Sequence, residues 1–193
     1  MVTTMTDFTA EREAMVERQL RRRGIGDSAI LDAFLEVPRE IFVSPDYAHL
    51  AYGDYPLPIE AGQTISQPFI VAMMIEAAGI GPDDKVLEVG AGSGYAAAVI
   101  SRIARKVVGI ERQHDLVDIA RRRLDQLRYG NVEIIEGDGT KGYPEEAPFD
   151  AILAAASGSH VPEPLIDQLR EGRCIVMPIG QPGWPQELVK VTK

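Results

Sequence analysis

Residues 86–95 read Val-Leu-Glu-Val-Gly-Ala-Gly-Ser-Gly-Tyr, and the reading of this stretch decides the fold. A short apolar, β-branched run, Val86 to Val89, ends in glycines at alternate positions, Gly90, Gly92 and Gly94. The alanine-rich segment Tyr95-Ala-Ala-Ala-Val-Ile-Ser-Arg-Ile-Ala follows at once. That order is a buried strand, a tight turn and a helix start. Glycines let the backbone take positive φ and let a ligand approach with no Cβ in the way. Many nucleotide-binding folds use such a turn, so two neighbours matter. A dinucleotide fingerprint needs a small residue at position 95, where this chain has Tyr95. Glu88 precedes the first glycine by two residues, an awkward charge beside a pyrophosphate and a useful one beside a cation.

Outward from this stretch, the pattern is regular from residue 68 onward. Pro68 suits the first turn of a helix through Phe69-Ile-Val-Ala-Met-Met-Ile-Glu-Ala-Ala, stopped by Gly79. Strands are expected near 86–90, 107–111, 132–136, 149–155 and 173–179, and helices near 95–105, 114–128 and 163–171. Leu116, Ile119, Ala120, Leu124 and Leu127 form a helical stripe. This alternation predicts an α/β fold, a doubly wound, mostly parallel sheet with helices on both faces. Ligands of such sheets bind at the carboxyl ends of the strands, near the point where strand order reverses.

The strand ends form a consistent set. Glu88 and the glycine turn follow the first strand. The second ends in Glu111, about twenty residues beyond the glycines, where a carboxylate could accept both hydroxyls of a ribose. The third leads into Gly137-Asp138-Gly139, an acid that could take an adenine amino group beside a glycine that leaves space for the ring. After the fourth come the small residues Ala154 to Ser159, with room for a substrate. The ligand suggested is S-adenosyl-L-methionine, which carries a sulfonium and an ammonium group and no phosphate. Each residue also has a plainer role: Glu111 could cap the following helix, and Asp138 could simply make a turn.

The N-terminal third reads differently. Residues 8–37 are helical in pattern, broken at Gly24-Ile-Gly26, with Asp27 or Ser28 as the N-cap of the next helix. Residues 38–67 hold prolines at 38, 45, 56 and 58 and show little periodicity, yet Phe42, Tyr47, Tyr52, Tyr55, Leu57 and Ile59 make them too apolar for disorder. An ordered loop packed over a site is expected. The chain thus divides into residues 1–67, N-terminal helices with a substrate-covering loop, and residues 68–193, a cofactor-binding core, within one compact unit.

Bulk properties exclude several classes. A net charge of −9 argues against sequence-independent binding to a phosphate backbone. The basic runs Arg21–Arg23 and Arg121–Arg123 read as solvated helix faces. The single cysteine, Cys174, lies in an apolar run and reads as a small buried hydrophobe in a reducing compartment. No signal peptide and no membrane-spanning apolar run is visible. A cytoplasmic monomer with no nucleic-acid or membrane partner is expected, and no metal.

With these residues in view, the sequence resembles the protein-L-isoaspartate O-methyltransferases from about residue 11 to the end. The most specific segment is Ala51 to Pro68, with its core Gly62-Gln-Thr-Ile-Ser-Gln-Pro68 ahead of the glycine turn. Glu111, Gly137-Asp-Gly139 and Pro148-Phe-Asp-Ala-Ile152 match in order and spacing. The resemblance implies a Rossmann-like S-adenosylmethionine-dependent methyltransferase fold with an N-terminal helical extension. It also implies methylation of the free α-carboxylate of L-isoaspartyl residues in damaged proteins and peptides, the substrate partners, as a step toward repair through a succinimide. Tyr52, Pro58, Ile59, Thr64 and Ile65 are then expected at the substrate.

The chemistry asks little of the protein. A carboxylic acid with a pKa of about 4 is ionised at pH 7, so no general base is needed. The carboxylate must be aligned with the methyl and held. A hydroxyl donor would suffice, and Ser66 is the candidate. Its own position, just ahead of Pro68, favours a helix N-cap, and only the resemblance turns the reading to the donor. His49, His114 and His160 need no catalytic role.

Departures from the family pattern are Glu60 and Ala61, where glycine and an optional histidine are usual, and Ala154-Ala-Ala for Thr-Ala-Ala. Glu60 would bring a negative charge toward an anionic substrate. The chain also stops inside an apparent strand, Glu187 to Lys193, so a truncated C-terminal end is expected. Two other readings share the glycine motif: a methyltransferase of this fold acting on a small molecule or RNA, and a non-catalytic module binding the cofactor or damaged protein.

Overall fold

The glycine turn sits at the end of a central strand. In the computed structural model, which describes residues 7–180 and 186–193, β1 (Leu57–Pro58) and β2 (Thr64–Ile65) form a small antiparallel ribbon. The main sheet holds β3 (Lys85–Val89), β4 (Lys106–Glu111), β5 (Val132–Glu136), β6 (Phe149–Ala154), β7 (Leu169–Ile179) and β8 (Glu187–Thr192). Their order is β5-β4-β3-β6-β7-β8, parallel except for β8. The chain winds outward from β3 to β5 and returns on the other side of β3. The order therefore reverses between β3 and β6, and the loops after these two strands part to leave a crevice.

Alternate strand residues face opposite sides of the sheet. Val86, Val107, Ala151 and Val176 join one apolar cluster, and Leu87, Val108, Ile152 and Ile175 join a second. Both faces are covered, which is why these strands read as nearly continuous apolar runs. Helices α3 (Pro68–Ala78), α4 (Tyr95–Ser101) and α5 (His114–Gln126) pack into the first cluster. So do α1 (Thr9–Met15) and α2 (Ser28–Glu36), through Met15, Ile30 and Phe34. The N-terminal extension thus shares its core with one face of the sheet.

Local signals set the element ends. Asp27 accepts from the Ala29 N–H at 2.8 Å and caps α2. Gly79, at φ +64°, ends α3. The first helix runs on through a π turn and a 3₁₀ turn to Gly24. The three helices expected after the glycine turn all end early: α4 at Ser101 against 105, α5 at Gln126 against 128, and α6 (Glu163–Asp167) well before 171. Leu169 is buried and pairs with Phe149, so pairing in the sheet overrides the helical pattern. Residues 38–67 consist of 3₁₀ turns and the β1–β2 ribbon, whose tip carries Ala61 at φ +53° and Gly62 at φ +66°. Cys174 is buried, as expected, with its Sγ 3.5 Å from the Ala78 carbonyl.

Candidate active site

The crevice between β3 and β6 is a cleft with two walls. One is the end of β3 with its turn, contributing Glu88, Gly90 and Gly92; the other is the irregular segment, contributing Thr64, Ile65 and Ser66. All three glycines take the positive φ expected of them, between +54° and +88°. A Cβ on Gly94 would lie 3.3 Å from Ala120 in α5, and one on Gly92 would reach Ile59 of the ribbon at 3.5 Å.

Glu88 is 2% exposed and its Oε2 has no hydrogen-bond partner among the described residues. Burial pushes this carboxyl up to about 8, and the charge of Glu111 adds to the shift. An unpaired buried carboxylate is costly unless it is protonated or matched by a cation. Glu88 therefore fits a ligand whose positive end enters the cleft, as S-adenosylmethionine requires. Glu111 is held behind the turn. Its two oxygens accept from the Gly92 N–H and the Gln113 N–H, each at 2.9 Å. It braces the glycine turn against β4 while keeping lone pairs free, since each carboxylate oxygen can accept more than one bond.

The other expected residues are spread more widely. Asp138 is exposed and its Oδ1 accepts from the Thr140 N–H and Oγ1, which is the turn role; Oδ2 makes no bond among the described residues. These bonds hold its carboxyl below the ordinary range. At Gly139 a Cβ would meet Val89 Cγ1 at 2.4 Å, so the glycine is demanded by β3 packing, whatever else it admits. Ser66 lines the cleft, and the cap position of α3 belongs to Gln67, with no side-chain cap bond. Ile59 is buried against Gly92, while Pro58 is exposed on the ribbon and outside the cleft lining. Tyr52 is likewise absent from the lining. Its hydroxyl donates to Glu40 and accepts from Arg12 Nε at 2.8 Å, so it pins α1 to the irregular segment.

Two expectations about charge change. Glu60 does not present a free negative charge: both its oxygens accept from Arg123, at 2.8 and 3.3 Å. Arg123 in turn is no solvated helix residue, because that pairing ties the ribbon to α5. Sequence reasoning also missed Arg39. Its side chain is wholly buried and donates to the Ala51 and Ser66 carbonyls, both at 2.8 Å. Its guanidinium lies 4.7 Å from the ring centre of Tyr95, whose own burial pushes its hydroxyl up to about 12. Nothing in Val37-Pro38-Arg39-Glu40 distinguishes it from the surface arginines that most sequences carry.

Residues 10–193 match the family Protein-L-isoaspartate(D-aspartate) O-methyltransferase. The chain belongs to this family. Among curated relatives, the protein-L-isoaspartate O-methyltransferase 2 of Pelobacter propionicus is 52% identical over 94% of this chain and 81% of its own length. The protein-L-isoaspartate O-methyltransferase of Methanoculleus marisnigri is 51% identical over 95% of this chain and 83% of its own. A solved protein-L-isoaspartate O-methyltransferase superposes with a TM-score of 0.87 at 35% identity, over 94% of this chain; the chain spans 60% of that one's length. A family structure from Plasmodium falciparum, in complex with S-adenosyl-L-homocysteine, superposes with a TM-score of 0.80 at 29% identity, covering 94% of this chain and 89% of the other. The Rossmann-like fold, the enzyme class and the dependence on S-adenosyl-L-methionine expected from the sequence therefore hold.

Proposed function

We propose that this protein-L-isoaspartate O-methyltransferase aligns an isoaspartyl α-carboxylate at Ser66 against a methyl donor held by the β3 wall. The observation that carries this reading is that Ser66 and Glu88, a hydroxyl and a buried carboxyl whose Oε2 has no partner among the described residues, line one cleft. When bound, the cofactor supplies a methyl group on a sulfonium, already a good leaving group. Glu88 matches the positive charge at that end. Gly90 and Gly92 keep the wall open to close approach, and Glu111 accepts from the ribose hydroxyls with its remaining lone pairs. Asp138, through its open Oδ2, takes the adenine amino group at the rim, and Gly139 lets the chain pass there.

The substrate carboxylate is ionised at neutral pH, so the protein's task is orientation. The Ser66 hydroxyl donates to one oxygen and leaves the other to attack. Thr64 and Ile65 line the same side. Ile59 closes the ribbon over the turn and excludes water, Pro58 shapes the outer approach for the peptide, and Tyr52 supports that side from beneath through Arg12 and Glu40. Residues 1–67 act as the substrate cover and residues 68–193 as the cofactor core. A monomer working in the cytoplasm on damaged proteins and peptides, without nucleic acid, completes the reading. Among the described residues no helix is long and apolar enough to cross a membrane, and the charge of −9 disfavours RNA.

The test is methyl transfer to paired peptides that differ only in isoaspartyl or aspartyl linkage. Labelling confined to the isoaspartyl peptide is expected. Equal labelling of both would move the assignment to another substrate class.

A further inference from the structure

Arg39 poses a physical problem that the chain itself does not solve. It is 0% exposed, and among the described residues no carboxylate lies within ion-pair distance of it. A guanidinium cannot shed its proton, so burial weakens its hold on the proton without discharging it. Two backbone carbonyls and the face of Tyr95 solvate the charge in part, and Nη1 has no partner. A buried cation so incompletely matched destabilises the protein unless an anion completes it. The carbonyl that Arg39 holds most directly toward the site is that of Ser66. Because a trans peptide sets C=O and N–H on opposite sides, fixing this carbonyl also fixes the Gln67 N–H, which has no acceptor among the described residues.

We infer that Arg39 is a positioning residue of the carboxylate site. It supplies the positive potential that the anionic substrate completes, and it holds the Ser66–Gln67 peptide in the orientation that receives that substrate. This rests on the reading of Ser66 as the substrate donor. Arg39 touches neither reactant and acts through Ser66. Glu88 is its counterpart in the same cleft: a buried carboxyl that a cationic ligand would draw into its charged form, as Arg39 is a buried cation that the anionic substrate would complete.

The experiment uses enzyme saturated with S-adenosylhomocysteine, so that no turnover occurs, and titrates two peptides by calorimetry. One carries an L-isoaspartyl residue, and the other carries L-isoasparagine, its neutral α-amide. Arg39→Met should weaken the isoaspartyl peptide by about ten- to a hundredfold, the scale of one charge acting across a peptide group at a protein's effective dielectric, and leave the isoasparaginyl peptide within about threefold. Equal weakening of both peptides would make Arg39 a structural residue only and overturn the inference. Arg39→Lys keeps the charge and loses the two-armed grip. It should retain the preference for the charged peptide while kcat falls at least about tenfold; if it folds and turns over normally, the positioning role is wrong. This second variant decides the matter if Arg39→Met does not fold. The wild-type arm separates the two readings: a wild-type enzyme indifferent to isoaspartyl linkage defeats the substrate assignment, whatever the Arg39 variants do.

Discussion

The two walls of the cleft are built by opposite means. The β3 wall is local: Glu88, Gly90, Gly92 and Gly94 lie within seven consecutive residues, and the brace from Glu111 comes from the end of the neighbouring parallel strand. The facing wall is assembled from a distance. Arg39 reaches Ser66 across 27 residues, Gln19 holds the Tyr52 carbonyl across 33, and Arg123 grips Glu60 across 63. Regular structure positions the β3 wall, since its backbone bonds follow from sheet register. Long side-chain donors, to backbone carbonyls and to the Glu60 carboxylate, position the facing wall, because its irregular backbone cannot satisfy itself. The first wall should therefore yield to mutation mainly in cofactor affinity, and the second in turnover.

Ser66→Ala should show the largest effect. Loss of the donor lowers kcat by about ten- to a thousandfold, the range for one positioned hydrogen bond. S-adenosylhomocysteine affinity should stay within about twofold, and stability should change by less than about 0.5 kcal/mol, because Gln67 and not Ser66 stands at the cap of α3. A lower melting temperature with normal kcat would reduce Ser66 to a structural residue and break the contrast between the walls.

Glu111→Ala tests the other side. It removes the proposed ribose acceptor and the brace on Gly92 together, and should weaken S-adenosylhomocysteine by about 2–4 kcal/mol, two charge-assisted bonds partly replaced by water. KM for the peptide should hardly move. Unchanged cofactor affinity in a folded variant would leave Glu111 a brace and nothing more.

Glu88 makes the comparison sensitive to pH. Its folded-state pKa of about 8 lies above the ordinary 4.5, through burial first and Glu111 second. Between these values the folded protein binds the proton more tightly than the unfolded one, so cofactor-free stability falls as pH rises through the window and levels off above it. Glu88→Gln should melt like the wild type near pH 5 and be more stable near pH 8, by about 3 kcal/mol. A wild type that instead gains on the variant between pH 5 and 8 would show Glu88 already charged and paired.

The smallest expected effect concerns the ribbon. Ala61 takes a left-handed conformation, φ +53°, which costs an L-residue about 1–2 kcal/mol. Ala61→Gly should raise stability by up to about 1 kcal/mol in denaturant unfolding, with kcat unchanged. A loss of stability would mean that the rigidity of alanine at the tip matters more than its strain.

Much of this was legible in the sequence. The glycine turn, the alternation beyond Pro68 and the acids at successive strand ends specify the sheet and the β3 wall of the cleft, because short-range periodicity and backbone conformation are properties of neighbouring residues. The sequence also placed Ser66 in the segment that faces the cleft, through a family motif and not through any rule of spacing. The tertiary structure alone decided the rest. Arg39, Arg123 and Tyr52 read as ordinary polar residues along the chain, and their roles arise from partners dozens of residues away. Glu60 is matched by Arg123 from α5, and Gly139 is required by the packing of Val89 in addition to any space it leaves for a ring. A buried charge and a crowded Cβ are facts about what surrounds a residue, and only folding sets those surroundings.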